Sequence, residues 1–194
     1  KLGKKSFKIN FAGGEPTLWN GLETVIQELN KNHKIYWAIV TNGSRTIRWW
    51  NEYGHLFDSV QVSHHIAQAD LNHTIELCDL LFERGVKVTV RVMMDVLHWD
   101  KGIQDIEYMK ANSKYKWFID VGEILEDHIV DSVIPIYSDG RVYSPEQREY
   151  LKTQNKRIPG YNWIKKNIKL VKEGKIKLYE SNAYYDDGTV EQAK

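Results

Sequence analysis

The sequence is poor in several features that mark whole classes of protein. Its 194 residues include one cysteine, Cys78, which excludes an internal disulfide framework and is typical of a reducing compartment. No apolar run is long enough to cross a bilayer, and the amino-terminal stretch KLGKKSFK lacks the apolar segment of a signal peptide. Twenty-seven basic residues against 26 acidic ones give a net charge of +1, which selects neither nucleic acid nor an anionic membrane. We therefore expect a cytoplasmic protein without a membrane or nucleic-acid partner.

What the sequence does contain is a strand that runs into a glycine turn and a carboxylate. Phe7–Phe11 alternates apolar with polar residues, which predicts a β-strand, and an amphipathic helix follows over about 22–29. Between them, Gly13 and Gly14 allow a sharp turn and a close backbone approach to a ligand. Glu15 then stands at the carboxyl end of the strand, the edge where parallel α/β proteins bind their ligands.

The residues Gly13, Gly14, Glu15 and Pro16, placed after this strand, resemble the GGEP motif of the radical S-adenosylmethionine enzymes. The resemblance implies a partial (β/α)6 barrel in which the motif follows the second strand and holds the amino group of S-adenosylmethionine. Glu15 would accept a charge-assisted hydrogen bond from that ammonium, and the two glycines would supply close backbone. Pro16 suits the first turn of the following helix. The alternative is an ordinary strand-to-helix turn with a solvated glutamate.

Two further strand ends resemble cofactor-facing positions of the same family. The β-rich run 34–43 ends in Thr41 and Asn42, and a strand predicted over 57–63 ends in Ser63. The resemblance implies that these three side chains line the S-adenosylmethionine pocket, with Ser63 near the methionine carboxylate or the ribose. An Asn-Gly turn alone is a weak signal, but its distance from the GGEP motif adds weight.

The next predicted strand, 86–95, carries Arg91 on the face opposite its alternating valines. The resemblance implies a basic residue near the cofactor carboxylate on this strand, so Arg91 is the candidate. A planar guanidinium suits a structural ion pair equally well, and a salt-bridged wall residue is therefore the alternative.

Two side chains are candidates for the substrate side of the site. His65 falls on the same face of its strand as Ser63, whereas His64 falls on the other, so the two histidines cannot easily share one metal. Asp120 lies on the last predicted barrel strand, 117–125. A structural or solvated role is the alternative for both candidates. No residue is assigned a catalytic role.

Strands alternate with helices along residues 1–143, which predicts an α/β fold with a parallel sheet. Together with the resemblance, this pattern predicts a TIM-like (β/α)6 barrel that lacks its first strand. Helices are expected over 47–53, 71–83 and 100–112. Cys78 falls on the apolar stripe of the second of these helices, so we expect it in the core.

Residues 144–194 are predicted to form a carboxyl-terminal extension. Ser144 and Gln147 have the spacing of a capping box at a helix start, and a second helix is expected over 162–173. An Asp-Gly pair at 187–188 between two β-prone runs predicts a hairpin. This order resembles the SPASM-type extensions of radical S-adenosylmethionine enzymes, so we expect the chain to be cut at both ends.

The radical enzymes hold a 4Fe–4S cluster on three thiolates spaced Cys-x3-Cys-x2-Cys, and this motif is absent here. Because the family places the motif before GGEP, we expect the cluster cysteines upstream of Lys1 and no metal ligand in this chain. A homologue that has lost the cluster is the alternative. The resemblance also implies an electron donor such as flavodoxin or ferredoxin.

The function implied by the resemblance is reductive cleavage of S-adenosylmethionine to methionine and a 5′-deoxyadenosyl radical. That radical would abstract hydrogen from a small-molecule, peptide or nucleoside substrate, although the chain alone is expected to be inactive. A non-catalytic, barrel-derived binding module is the alternative. A metal-dependent α/β hydrolase is less favoured, because the seven histidines show neither His-x-His nor HExxH spacing.

Overall fold

The computed structural model describes residues 7–124 and 142–154, together with the backbone of 182–184 and 190–192. The chain divides into two compact units, Lys1–Gln154 and Asn155–Lys194. The helix that begins at Pro145 falls in the first unit, and the domain boundary near residue 143 stays a prediction.

The first unit alternates strands with helices along the described chain. Its strands are β1 (Phe7–Phe11), β2 (Ile35–Thr41), β3 (Ser59–His65), β4 (Lys87–Met94) and β5 (Phe118–Glu123). Its helices are α1 (Leu22–Asn30), α2 (Ile47–Tyr53), α3 (Leu71–Glu83), α4 (Trp99–Asn112) and α5 (Pro145–Gln154). Short 3-10 turns at Pro16–Leu18 and Gly54–Leu56 precede α1 and β3.

The five strands described in this unit pair in parallel in the order β1-β2-β3-β4-β5. Each strand therefore lies beside the next one along the chain, which requires a crossover between every pair. This arrangement confirms the predicted α/β fold and is consistent with a partial TIM-like barrel. Five strands remain when a six-stranded barrel lacks its first, but the six-stranded form itself stays a prediction.

The apolar core covers one face of this sheet. In β4, Val88, Val90 and Val92 are at most 3% exposed, as the alternating pattern predicts, and they share one cluster with Leu81 of α3. Cys78 of α3 is fully buried in the same cluster, which confirms it as a core residue. Burying one valine side chain contributes on the order of 1.5 kcal/mol, so this row alone contributes several kcal/mol.

The other face of the sheet is lined by polar side chains. Ser63, Arg91 and Asp120 form one row across β3, β4 and β5, because they are successive partners in the strand register. β2 is largely buried on the helix side and partly buried on the other face, where Ala38 is 8% exposed. Tyr36, on the polar face, is 38% exposed, whereas Trp37 on the helix side is 2% exposed. In the described residues, the core therefore occupies the helix side of the sheet.

The limits of β3 differ from the prediction because a turn and a side chain intervene. The strand begins at Ser59 rather than Phe57, since the Phe57 N–H still closes a 3-10 turn onto Gly54. The Asp58 carboxylate, in turn, accepts a hydrogen bond from the backbone N–H of Trp37 at 2.7 Å. At its other end the strand continues to His65.

Two helix starts follow ordinary capping chemistry. The Thr46 hydroxyl accepts from the backbone N–H of Trp49 at the start of α2, and Trp50 in that helix is fully buried. At the start of α5, the Gln147 N–H donates to Ser144 Oγ at 3.2 Å and the Ser144 N–H donates to Gln147 Oε1 at 2.9 Å. This confirms the predicted capping box, whose side-chain cap contributes about 1 kcal/mol.

In the second unit, β6 (Asn182–Tyr184) and β7 (Val190–Gln192) pair antiparallel. The pairing agrees with the predicted hairpin, whose turn lies outside the described residues, as does the helix predicted over 162–173. The extension as a whole stays a prediction. Within the described ranges, every helix is too short or too polar to span a bilayer.

Candidate functional site

The carboxyl ends of β1, β2 and β3 meet at one edge of the sheet, because these neighbouring strands are parallel. A cavity of about 620 Å³ opens at this edge. Asn42 and Ser44 line it after β2, Ser63 and His65 at the end of β3, and His73 in the first turn of α3. Small-molecule sites typically enclose about 300–1,000 Å³, so the cavity can hold a ligand of nucleoside size or larger.

Four hydrogen bonds fix the Glu15 carboxylate, which does not itself line this cavity but accepts from Asn42, which does. Its Oε1 accepts from the backbone N–H of Thr17 at 3.2 Å, from the Thr17 hydroxyl at 2.7 Å and from the Thr41 hydroxyl at 2.7 Å. Its Oε2 accepts from the backbone N–H of Asn42 at 2.6 Å. Glu15 thus caps its own 3-10 turn and also ties the loop after β1 to the end of β2.

The hydrogen bonds leave one part of the Glu15 carboxylate able to accept more. A carboxylate oxygen has about two lone-pair directions, so Oε1 with three donors is filled, while Oε2 with one donor retains a position. All four donors are neutral, and no ion pair among the described residues includes Glu15. An uncompensated, half-buried negative charge suits a cationic ligand group such as an ammonium.

The turn after β2 depends on a glycine. Gly43 has a φ of +72°, and a Cβ there would lie 3.1 Å from Leu77 Cδ2, so a larger residue would be strained. The Gly43 N–H donates to Thr41 Oγ1 at 3.0 Å, and its carbonyl oxygen lies 2.9 Å from His73 Nε2. Because Thr41 Oγ1 accepts from Gly43, its own proton is directed to Glu15.

Arg45 connects this turn to the loop after β1. Its Nε and Nη2 donate to the carbonyl oxygen of Thr17 at 2.9 and 2.7 Å. The guanidinium carbon also lies 5.6 Å from the centre of the Trp49 ring, within range of a cation–π contact. Thr17 itself is fully buried, so Arg45 holds a segment that donates directly to Glu15.

His65 lies between two cavities at the same edge. It lines the larger cavity together with Ser63, and it also lines a smaller cavity of about 170 Å³ with Met93, Asp95 and Ile124. The smaller cavity is thus built from the ends of β3, β4 and β5. A group in either cavity would have His65 in its wall, and the substrate-side role of His65 stays a prediction.

Arg91 and Asp120 form an ion pair on the polar face of the sheet. Arg91 Nε and Nη2 each lie 2.8 Å from Asp120 Oδ2. The Asp120 side chain is 9% exposed and that of Arg91 31%, so the carboxylate is covered while part of the Arg91 side chain reaches solvent. Gly122 leaves room for this arrangement, because a Cβ there would lie 3.0 Å from Arg91 Cγ and Cδ. The ion pair is the alternative foreseen for Arg91, and the predicted ligand roles of both residues stay predictions.

His64 points to the helix side and is fully buried. Its Nδ1 lies 3.2 Å from Thr74 Oγ1 and its Nε2 lies 3.3 Å from Asp105 Oδ2, which also accepts from Lys101 Nζ at 2.7 Å. Burial lowers the pKa of His64, and the hydrogen bond with Asp105 opposes that shift only in part. His64 is therefore a core residue, and it faces away from His65 as the alternation predicts.

The described residues do not fit an iron–sulfur cluster. Cys78 is the chain's one thiol, and burial raises its pKa far above the ordinary cysteine range, which keeps the thiol neutral. Within the described ranges, no three His, Cys, Asp or Glu side chains group in a way that could hold a metal ion. A 4Fe–4S cluster needs several thiolates, so its ligands cannot all come from this chain.

The GGEP segment is open on the side of its glycines. Gly13 and Gly14 have φ values of +92° and +50°, and no atom lies within 4 Å of a Cβ built at either position. Pro16 opens the 3-10 turn that Glu15 caps. The backbone here is therefore accessible to a ligand, as the two glycines predict, although a ligand contact stays a prediction.

The structure joins some of the predicted residues and separates others. Thr41 and Asn42 both donate hydrogen bonds to Glu15, and Asn42 shares the larger cavity with Ser63. Arg91 belongs to the same register row as Ser63 but is engaged with Asp120.

Three residues that shape the site were missed from the sequence: Thr17, Arg45 and His73. Thr17 carried a local signal, because a hydroxyl two residues after a capping carboxylate commonly returns a hydrogen bond to it. Arg45 and His73 carried none, since their partners lie 28 and 30 residues away along the chain.

Comparison with solved structures shows a shared fold. Native anSMEcpe with bound AdoMet superposes with a TM-score of 0.54 at 16% identity, covering 77% of this chain and 45% of that chain. The complexes of anSMEcpe with AdoMet and the Cp18Cys or Kp18Cys peptide give TM-scores of 0.54 and 0.52 at 16% and 17% identity, each over 76% of this chain and 45% of the other. That protein is an anaerobic sulfatase-maturating enzyme of the radical S-adenosylmethionine superfamily.

This chain therefore spans less than half the length of the proteins that it resembles in structure. No family model matches the sequence, and no curated protein matches it. At 16–17% identity the likeness establishes the fold, while the activity has to be argued from the residues of the site.

Proposed function

We propose that this chain is the cofactor-binding barrel of a radical S-adenosylmethionine enzyme. The enzyme would cleave S-adenosylmethionine reductively at a 4Fe–4S cluster and abstract hydrogen from a substrate. The observation that carries the proposal is the Glu15 carboxylate, which neutral donors hold at the end of β1 with an acceptor position free on Oε2. The fold shared with anSMEcpe, which binds AdoMet, supports the same conclusion.

Glu15 binds the ammonium of the methionine moiety in this account. Its Oε2 supplies a charge-assisted acceptor, and the exposed backbone at Gly13 and Gly14 supplies room for the ligand to approach. Asn42 directs its N–H to Oε2 and also lines the cavity, so the ammonium site and the cavity adjoin.

Ser63 and Arg91 bind the carboxylate of the same moiety. Ser63 lines the cavity, and Arg91 is its partner in the next strand. Arg91 pairs with Asp120 through Nε and Nη2, and its side chain is 31% exposed, so its guanidinium could also donate to a ligand carboxylate. In this way the ligand ammonium pairs with Glu15 and the ligand carboxylate pairs with Arg91.

When bound, S-adenosylmethionine supplies a sulfonium whose reductive cleavage yields a 5′-deoxyadenosyl radical. The residues of this chain bind the methionine moiety, orient it and shield it, and none of them needs to act as an acid or base for hydrogen abstraction. The cluster thiolates lie outside this chain, because Cys78 is its one cysteine. An electron donor such as flavodoxin or ferredoxin is the expected partner.

The smaller cavity behind His65 is the substrate side in this proposal. Met93 and Ile124 give it apolar walls, and Asp95 adds a carboxylate. The substrate class remains open between small molecules, peptides and nucleosides, and the peptide complexes of anSMEcpe make peptides the first class to test.

Removal of the Glu15 charge tests the ammonium site. Glu15→Gln should weaken binding of S-adenosylmethionine by about 1.5–3 kcal/mol, or about ten- to a hundredfold, because a charge-assisted hydrogen bond is lost. Isothermal titration calorimetry of the wild-type and variant chains measures this. Glu28→Gln, an exposed carboxylate of α1, is the matched control and should bind as the wild type does. Equal affinities of the Glu15 variant and wild type would remove Glu15 from the site.

The single thiol gives weight to a second function, a binding module without a cluster. Iron and acid-labile sulfide content of the natural full-length protein, purified without oxygen, separates the two. About four irons per chain with an EPR signal that changes on addition of S-adenosylmethionine would support the radical enzyme. An intact, iron-free protein that still binds S-adenosylmethionine would support the binding module.

A further inference from the structure

We propose that Arg45 is a positioning residue that aims the Glu15 carboxylate at the ligand ammonium. The inference rests on the proposed function, in which Glu15 binds that ammonium. Arg45 donates to the carbonyl oxygen of Thr17 rather than to Glu15, and Thr17 donates twice to Glu15.

The contact between Arg45 and Thr17 is strong for a bond to a main-chain group. Two guanidinium N–H groups converge on one carbonyl oxygen at 2.9 and 2.7 Å, and the donor is permanently charged. Trp49 lies against the guanidinium at 5.6 Å and restricts its position further. The peptide group that follows Thr17 is therefore fixed by Arg45, which lies outside the 3-10 turn and is itself restricted by Trp49.

Thr17 links the contact with Arg45 to the orientation of the Glu15 carboxylate. Its side chain is fully buried, and its backbone N–H and hydroxyl both donate to Glu15 Oε1. A shift of the Thr17 backbone would move both donors together. The 3-10 turn spans Pro16–Leu18, with Thr17 as its central residue.

One turn of the chain controls both oxygens of the carboxylate. Asn42 donates to Oε2 directly, and Arg45, three residues later, holds Thr17, which supplies two of the three donors to Oε1. The free acceptor position on Oε2 is thereby held relative to the cavity that Asn42 lines. Arg45 is thus a positioning residue rather than a ligand contact.

The test compares two ligands that differ only in the ammonium. S-adenosylhomocysteine carries it, and 5′-(3-carboxypropyl)thio-5′-deoxyadenosine replaces it with hydrogen. Arg45→Ala should weaken binding of S-adenosylhomocysteine about three- to tenfold and leave binding of the deaminated analogue unchanged. Arg45→Lys should recover part of the loss, because an ammonium can donate to the Thr17 carbonyl without the two-pronged geometry.

Arg48→Ala is the matched control, since Arg48 is an exposed arginine of α2 three residues away. It should bind both ligands as the wild type does. In a Glu15→Gln background, Arg45→Ala should cause no further loss, because its effect passes through that carboxylate. Calorimetric titration of the 194-residue chain measures each affinity.

Three results would overturn the inference, and they are distinguishable. Equal losses for both ligands in Arg45→Lys would mean that Arg45 supports the fold in general. Unchanged affinity for S-adenosylhomocysteine in Arg45→Ala, with wild type still preferring it over the deaminated analogue, would exclude Arg45 while leaving the proposed function standing. A wild-type chain that binds the two ligands equally would refute the ammonium site at Glu15, and with it both proposals.

Discussion

Two carboxylates on the sheet are held in opposite ways. Glu15, beside β1, receives four hydrogen bonds from neutral groups and has no ion-pair partner in the described part of the chain. Asp120, on β5, is paired with the guanidinium of Arg91 and is almost fully covered. Glu15 therefore keeps a net negative charge, whereas Arg91 and Asp120 form a neutral pair in which the arginine side chain is the more exposed partner.

This difference in charge bears on the kind of ligand that could bind at this edge of the sheet. A ligand with a single charge could pair with only one of Glu15 and Arg91, whereas a zwitterion could pair with both. The methionine moiety of S-adenosylmethionine carries an ammonium and a carboxylate on the same carbon, so in the proposed function Glu15 and Arg91 would both have to reach it, from the β1 and β4 sides of β2 and β3. Electrostatic complementarity of this kind specifies orientation as much as it contributes affinity.

A third carboxylate shows what a purely structural arrangement looks like. Asp105 is buried on the helix side between Lys101 and His64, and both partners are within 3.3 Å of the same oxygen. The partners of Asp105 are thus supplied within the fold, and no ligand group is needed to pair with this carboxylate. Glu15 differs from Asp105 in having neutral partners and a remaining acceptor position, which is why we assign the ligand to Glu15.

Substitution of Arg91, the partner of Asp120, is expected to have the largest effect, and the quantity it changes is ligand affinity. Arg91→Met should weaken S-adenosylhomocysteine binding by about 1.5–3 kcal/mol, because a charge-assisted bond to the ligand carboxylate is lost. Binding of 5′-(3-aminopropyl)thio-5′-deoxyadenosine, which lacks the carboxylate, should not change. Calorimetry of both ligands measures the difference, with thermal unfolding as the check that the unpaired Asp120 has not unfolded the chain. Equal losses for the two ligands would assign Arg91 to the wall alone.

A smaller effect concerns His64 and stability. Burial lowers the pKa of His64 below its ordinary value of about 6.5, so the unfolded chain binds more protons than the folded one below that pH. Its contribution is complete above about pH 6.5 and is lost as the pH falls toward the lowered pKa, with a slope of at most about 1.4 kcal/mol per pH unit. Urea unfolding between pH 7.5 and 5 measures the slope.

His64→Gln should flatten that slope, and His55→Gln, an exposed histidine, should leave it unchanged. A slope that is the same in wild type and His64→Gln would show that other groups control the pH dependence.

The smallest effect is expected at Gly122. Gly122→Ala would bring a Cβ to 3.0 Å from Arg91 Cγ and Cδ and 3.1 Å from Met93 Sδ, and flexible side chains can yield to it. The displaced guanidinium should weaken S-adenosylhomocysteine binding by about two- to fivefold, without affecting the ligand that lacks the carboxylate. Unchanged affinity for both ligands would mean that the orientation of Arg91 over Gly122 is immaterial.

The fold was predictable where the signals are local. Alternating valines identify β4, and the apolar stripe of α3 gave its limits, Leu71 and Glu83, because pattern and length decide such elements. The start of β3 was predicted two residues too early, at Phe57. In the structure Phe57 follows a 3-10 turn and the Asp58 side chain bonds to Trp37, so the strand begins only at Ser59. Contacts between distant segments leave no periodic trace in a sequence.

The site was predictable only in part for the same reason. The GGEP motif and the Thr41-Asn42 turn indicate Glu15 and its neighbours, and the structure joins them by hydrogen bonds. Arg45 lies outside any motif, and its partner Thr17 is defined only by the three-dimensional fold. The ion pair of Arg91 with Asp120 likewise depends on the strand register.

The zwitterion site is tested by comparing the affinity of the chain for S-adenosylhomocysteine with its affinity for 5′-methylthioadenosine. Both ligands carry a neutral thioether and the same nucleoside, and only the first carries the zwitterionic arm. The account predicts that calorimetry finds S-adenosylhomocysteine bound at least about tenfold more tightly, since two charge-assisted contacts depend on that arm. Equal affinities would contradict it, because neither Glu15 nor Arg91 would then contact the ligand.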